Sequence, residues 1–100
     1  MIEALIGGKL QGEPEERRGK ADSMYVVARV RAQATDGELI IVNVIAFNAD
    51  VGAALLELHD GDAVALAGSV TPKVWSDRQG VARAALDMVA ARVLSAQTGA

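Results

Sequence analysis

Lys73-Val74-Trp75-Ser76-Asp77-Arg78-Gln79-Gly80 contains the only tryptophan of a chain with three aromatic residues. An indole left in water costs free energy, yet this one stands among Asp, Arg, Gln and Gly at the tip of a hairpin. Such a setting suits recognition. The ring is a platform for a nucleobase, and Lys73, Arg78 and Arg83 beside it are charges for a phosphate backbone. A second reading stays open, in which Trp75 folds back over the mouth of a barrel, because Trp is highly buried on average. Covalent chemistry has little to work with. There is no Cys for a disulfide, a thiolate metal site or a nucleophile, and His59 is the sole histidine. Gly7-Gly8-Lys9 is too short for a phosphate loop, and no carboxylate spacing suggests a metal. Glu15-Glu16 reads as solvated loop charge. We therefore expect no enzyme, no cofactor and no metal.

A net charge of −3 and a pI near 5.0 argue against indiscriminate nucleic-acid binding. The cations are unevenly spread, however. Arg17, Arg18 and Lys20 share one loop, Arg29 and Arg31 share one strand face, and Lys73 and Arg78 flank the tryptophan. A local positive groove on an acidic protein is the expectation. Any one of these cations alone would read as solvated surface.

With 51% apolar residues, 100 residues make one domain, 1–100, with a real core. No apolar run approaches the ~18 residues of a membrane span. The opening residues carry an acid and no basic segment. A soluble, cytosolic protein with no membrane partner is expected.

The elements that must position these side chains read mostly as strands. Residues 2–10 form the first, with Gly7-Gly8 marking a bulge or bend. A polar loop follows over 11–20. In the second strand, 24–34, Met24, Val26, Ala28, Val30 and Ala32 share one face; Tyr25, Val27, Arg29 and Arg31 share the other. Asp36-Gly37 signals a hairpin. The third strand, 38–47, is apolar on both sides, so both are expected to be at least partly covered, and Asn43 needs hydrogen-bond partners if it is buried. A short helix follows, capped by Asn48 or Asp50, with Val51, Ala54, Leu55 and Leu58 as its stripe and Gly61 at its end. His59 falls in its last turn and reads as structural or solvent-facing. The fourth strand spans 63–70, with a bend at Gly68. Residues 82–94 fit either a helical stripe or a strand, and 95–100 reads as a frayed tail.

The order β-β-β-α-β-β with glycine bends fits an OB-fold, a five-stranded Greek-key barrel with one short helix between strands three and four. Ligands of that fold lie across strands two and three, between the loops that here hold Arg17, Arg18 and Lys20 on one side and Lys73, Trp75 and Arg78 on the other. Arg29, Arg31 and Phe47 would lie between them.

Four segments then resemble bacterial single-stranded DNA-binding proteins, and among them the primosomal replication protein N group. Leu5 to Leu10 with Glu13-Pro14-Glu15-Glu16-Arg17 looks like the family's opening strand and D-P-E-x-R turn. Val42 to Asn48 looks like its V-V-L-F-G strand, Leu58 to Gly68 like its L-x-K-G-x-x-V-x-x-x-G segment, and Val74 to Gly80 like its K-W-T-D-x-x-G hairpin. The likeness runs over about residues 2–94 and implies that 82–94 is a strand. It implies that Trp75 and Phe47 stack on bases. Two stacking positions are missing: Ile41 replaces a Trp, and Ala34-Thr35 replace an aromatic. At about 1–3 kcal/mol per stacked base, weaker binding than in the full family member follows. No acidic tail follows before Ala100, which on this resemblance points to the primosomal branch. Its members are homodimers that bind single strands and pass DNA between replication-restart proteins such as a helicase, in the bacterial cytoplasm at the nucleoid.

The function expected is single-stranded DNA binding in replication, primosome assembly and restart. Arg17, Arg18, Lys20, Arg29, Arg31, Lys73 and Arg78 would follow the backbone, and Trp75 and Phe47 would stack. Sequence preference should be slight, because every base has a π-face. The alternative is an OB-fold protein-interaction adaptor with little or no DNA binding, favoured by the acidic balance and the missing aromatics.

Overall fold

Alternating side chains become strands along most of the chain in the computed structural model, which describes residues 1–97. The elements are β1 (Ile2–Leu10), β2 (Glu15–Arg18), a 3-10 turn at Lys20–Asp22, β3 (Met24–Gln33), β4 (Leu39–Ala46), α1 (Ala49–Leu56), β5 (Ala63–Ser76) and β6 (Ala82–Gln97). The sheet runs β1-β5-β6-β4-β3-β2 and closes through β1 onto β3. β4 and β6 pair in parallel and every other pairing is antiparallel. This is the OB-fold, with its helix between the third and fourth barrel strands.

Closure explains Gly8. A Cβ there would strike the Arg31 carbonyl oxygen and stand 2.8 Å from Val30 Cγ1, where β1 meets β3 through Lys9↔Arg31 and Leu10↔Val30. Of the bulge or bend expected at Gly7-Gly8, the bulge is absent, since the β1–β5 register is unbroken from Ile2 to Lys9. Gly68 does sit at an irregularity, with its missing Cβ leaving room for the Val89 carbonyl.

The core is lined by Leu10, Val30, Val42, Leu66 and Met88; Val51 and Leu55 plug it from α1, and Leu58 joins them from the turn after the helix. Asn48 caps that helix, its Oδ1 accepting from Asp50 N and Val51 N at 2.9 and 3.1 Å. Gly52 lets the helix lie against Val26. Gly61 does not end the helix, which stops at Leu56. It turns the chain at φ +88° and donates to the Leu10 carbonyl at 2.8 Å.

Three further differences from the sequence expectations have physical causes. Part of the 11–20 loop is the strand β2, whose charged side chains carry no apolar alternation and whose backbone pairs with the edge of β3. β5 continues to Ser76 and carries Pro72, tolerated because β1 ends opposite Val70 and leaves β5 an edge beyond it. Residues 82–97 are a strand, so the final segment continues past 94. Residues 98–100 of the expected frayed tail lie outside the described residues.

Candidate nucleic-acid interface

Register sorts the outward side chains of four strands into rows across the barrel. One row is Val27–Ile45–Val89–Ser69, on β3, β4, β6 and β5 in turn. The next is Arg29–Asn43–Asp87–Thr71, and the third is Arg31–Ile41–Ala85–Lys73. A polar row thus lies between two rows that are largely apolar at their centres. Asn43 Nδ2 donates to Asp87 Oδ1 at 3.2 Å, which ties the polar row together across the parallel β4–β6 pair. Both faces of β4 are at least partly covered, as expected: its inner face is buried and Ile41 and Ile45 on the outside are half-buried, while Asn43 is exposed and Leu39 is 58% exposed, so the outer face is the floor of a groove.

The groove has two parts that share Gln11, Arg29 and Asn43. The wider, about 540 Å³, spreads over Arg17, Val27, Ile45, Thr71, Asp87 and Val89. The narrower, about 320 Å³, is bounded by Ile41, Lys73, Trp75 and Ala85. Arg17, Arg29, Lys73 and Trp75, all singled out from the sequence, therefore line it. The others do not. Arg31 is exposed at the β3 end of the third row, outside the groove lining and next to Lys9 of β1. Arg18 stands opposite Met24 and so faces away from Arg17. It pairs with Asp22 at 3.6 Å. Lys20 lies in the 3-10 turn, and Arg78 is exposed at the apex of the β5–β6 turn. Phe47 is 63% exposed past the end of β4.

Trp75 is not on a loop. It stands in β5 opposite Arg83, 46% exposed, with its ring bordering the narrower part of the groove. A local turn holds it there. Asp77 Oδ1 accepts from Gln79 N and Val81 N, both at 2.9 Å, and Asp77 N donates to the Val81 carbonyl. Gly80 takes φ +78°, and Asp77 Oδ2 accepts from Arg83 Nε at 3.2 Å. The Val81 N–H above all, with Gln79 N–H and the Arg83 guanidinium, holds the Asp77 carboxyl below the usual range.

The opposite wall is built from long-range bonds. Glu13 accepts from His59 Nδ1–H at 2.8 Å and from Asp60 N at 2.6 Å, while Gly12 N donates to Asp60 Oδ1 at 2.7 Å. The His59 hydrogen bond lowers the Glu13 pKa from its ordinary value, and the same bond raises that of His59. Asp62, buried, accepts from His59 N. Arg17 is held to Glu15 at 3.0 Å.

Sequence reasoning missed three features. Glu13, Glu15 and Asp87 line the groove beside its cations, so its charge is mixed and not simply positive. Tyr25 meets Phe47 with ring centroids 6.1 Å apart and planes tilted by 49°. Its position on the Arg29 face of β3 was the signal. Lys9 extends the cationic edge next to Arg31, by the same alternation. Among the described residues no group of three or more His, Asp or Glu side chains could hold a metal ion, and no helix is long and apolar enough to cross a membrane.

No protein-family model matches the sequence, and no curated protein matches it at a significant level. Solved structures do. The mitochondrial single-stranded DNA-binding protein Rim1 of S. cerevisiae superposes with a TM-score of 0.71 at 19% identity, over 97% of this chain and 96% of that one. A small single-stranded DNA-binding protein from Streptomyces coelicolor superposes with a TM-score of 0.67 at 19% identity, over 98% and 94%. At that identity the likeness establishes the fold.

Proposed function

We propose that this OB barrel binds single-stranded DNA without catalysing a reaction. The observation that carries the proposal is the convergence of Trp75, Lys73 and Arg29 on one groove from β5 and β3. A base can stack on the half-exposed indole while the ammonium and guanidinium meet the phosphates on either side. Arg17 and Arg31 extend the track, and Phe47 with Tyr25 offers a second aromatic surface past the end of β4. The structural neighbours are single-stranded DNA-binding proteins, which supports the same function here.

The finer assignment is to the bacterial single-stranded DNA-binding family, in its primosomal replication protein N branch. It is supported by the four motif-like segments and by the fold. On this reading the protein acts in primosome assembly and replication restart, at the bacterial nucleoid, and passes DNA to partners such as a helicase. It does so as a homodimer. Leu5, on the outward face of β1 and 69% exposed, gives a second copy an apolar side chain to cover.

A second reading is favoured by one observation. Glu13, Glu15 and Asp87 offset the groove's cations, as in a barrel specialised for protein partners with DNA binding largely lost. Anisotropy of labelled oligo-dT against a salt series separates the two. With about four phosphate contacts, log Kd should change with log salt at a slope near 3, from roughly 0.7 per contact. Trp75→Ala should weaken binding by about 1–3 kcal/mol. An adaptor would give negligible affinity in the parent protein, even at low salt.

A further inference from the structure

The polar row Arg29–Asn43–Asp87–Thr71 is out of place in a groove that only tracks backbone. A carboxylate at its centre repels phosphate, and a sequence-neutral floor would need no polar side chains between its apolar rows. We infer that Asp87 reads base edges and gives the groove a preference for guanine, an inference that rests on the single-stranded DNA reading above.

The geometry supports this step by step. Asp87 lines the wider part of the groove on β6, in register with Asn43 on one side and Thr71 on the other. Asn43 Nδ2 donates to its Oδ1 at 3.2 Å, which turns that oxygen toward β4. Among the described residues no cation lies within ion-pairing distance of the carboxylate and its Oδ2 accepts no protein hydrogen bond, so Oδ2 and the second lone pair of Oδ1 stay open to a ligand. The row on one side, Val27–Ile45–Val89, and Ile41–Ala85 on the other, are apolar surfaces on which a ring can lie with its edge toward Asp87.

What approaches must bring donors. Guanine presents N1–H and the N2 amino group side by side, which two carboxylate oxygens can accept together. Cytosine and adenine each present one amino donor next to a ring acceptor. Thymine presents a single N3–H between two carbonyl oxygens, each of which the carboxylate repels. The expected order is guanine first, cytosine and adenine next, thymine last.

The test is anisotropy at one low salt concentration with labelled oligo-dT and with the same oligo-dT carrying one central dG, dC, dA or deoxyinosine. The wild-type protein should prefer the dG oligonucleotide to plain oligo-dT on the order of ten-fold. Deoxyinosine, which keeps the ring and N1–H but lacks the N2 amino group, should lose much of that gain. D87N, close in shape and able to keep an oxygen toward Asn43, should flatten the series and tighten oligo-dT. Thermal melting checks that it folds. Equal affinity for all five oligonucleotides in the wild type would overturn the inference. So would a uniform gain across the series in D87N, which would make Asp87 a repulsive charge only. No binding of any oligonucleotide by either protein would overturn the single-stranded DNA reading, and the base preference with it.

Discussion

The two walls of the groove are built in opposite ways. The Trp75 wall is local: one aspartate, Asp77, ties a turn through Gln79 and Val81, pairs with Arg83, and so holds β5 and β6 together beyond the barrel. It offers an indole and the Lys73 ammonium, which has no ion-pair partner among the described residues. The facing wall is fastened from far along the chain, with Glu13 on His59 and Asp60 and Gly12 on Asp60. It offers carboxylates, and Arg17, the β2 arginine that lines the groove, is already held by Glu15. The groove therefore has a side suited to bind and a side suited to restrain.

The sharpest way to break that comparison is at the tryptophan. Trp75→Ala should cost about 1–3 kcal/mol of single-strand affinity, whereas E15Q, which frees Arg17, should strengthen it by a smaller factor. Titration of a labelled oligonucleotide reads both. If the two substitutions act in the same direction, the contrast between the walls is wrong.

Next in size is the turn. D77A removes the acceptor of two backbone N–H groups and the partner of Arg83. It should lower the melting temperature by a few degrees and weaken DNA binding through a misplaced Trp75, without changing the sequence preference. Calorimetry and the same titration check this.

K73A should act more gently. It should weaken all oligonucleotides alike and reduce the salt slope by about 0.7.

The smallest effect separates the walls by pH. Asp77 and Glu13 have lowered carboxyl pKa values. Their contributions to stability are present above the ordinary carboxylate range and are lost as pH falls through the folded values. His59 is raised above 6.5, so its contribution is full below that pH and fades as pH rises through the folded value. The acid limb should hold for both walls. The alkaline limb should belong to the Glu13 wall alone and vanish in H59A, as a melting series from pH 2 to 9 would show.

The difference between the walls also explains what could be read in advance. Asp36-Gly37, the Asn48 cap and the Val51 and Leu55 positions of the helical stripe act within a few residues, and each is found where its local chemistry places it; Leu58 is buried as well, but past the helix, which ends at Leu56. The barrel order followed from them. β2 was hidden because Glu15-Glu16-Arg17-Arg18 has no apolar period and becomes a strand only by pairing with β3. The final segment looked partly helical for a related reason. β6 steps out of register near Ala91 and Leu94, so its inward residues pass from Ala90 to Val93, a spacing of three. The hydrogen bond between Glu13 and His59 spans 46 positions, and the floor row through Asp87 requires the parallel β4–β6 pairing. No local pattern announces either. For that reason the cations and Trp75 were legible and the carboxylates facing them were not.

The most direct test of the central claim is the fluorescence of Trp75, which reports on one site because no other tryptophan is present. Titration with oligo-dT at low salt should quench it strongly, and ~0.3 M salt should reverse much of the effect through the phosphate contacts. An emission spectrum that stays unchanged at saturating oligonucleotide and low salt would contradict base stacking at Trp75.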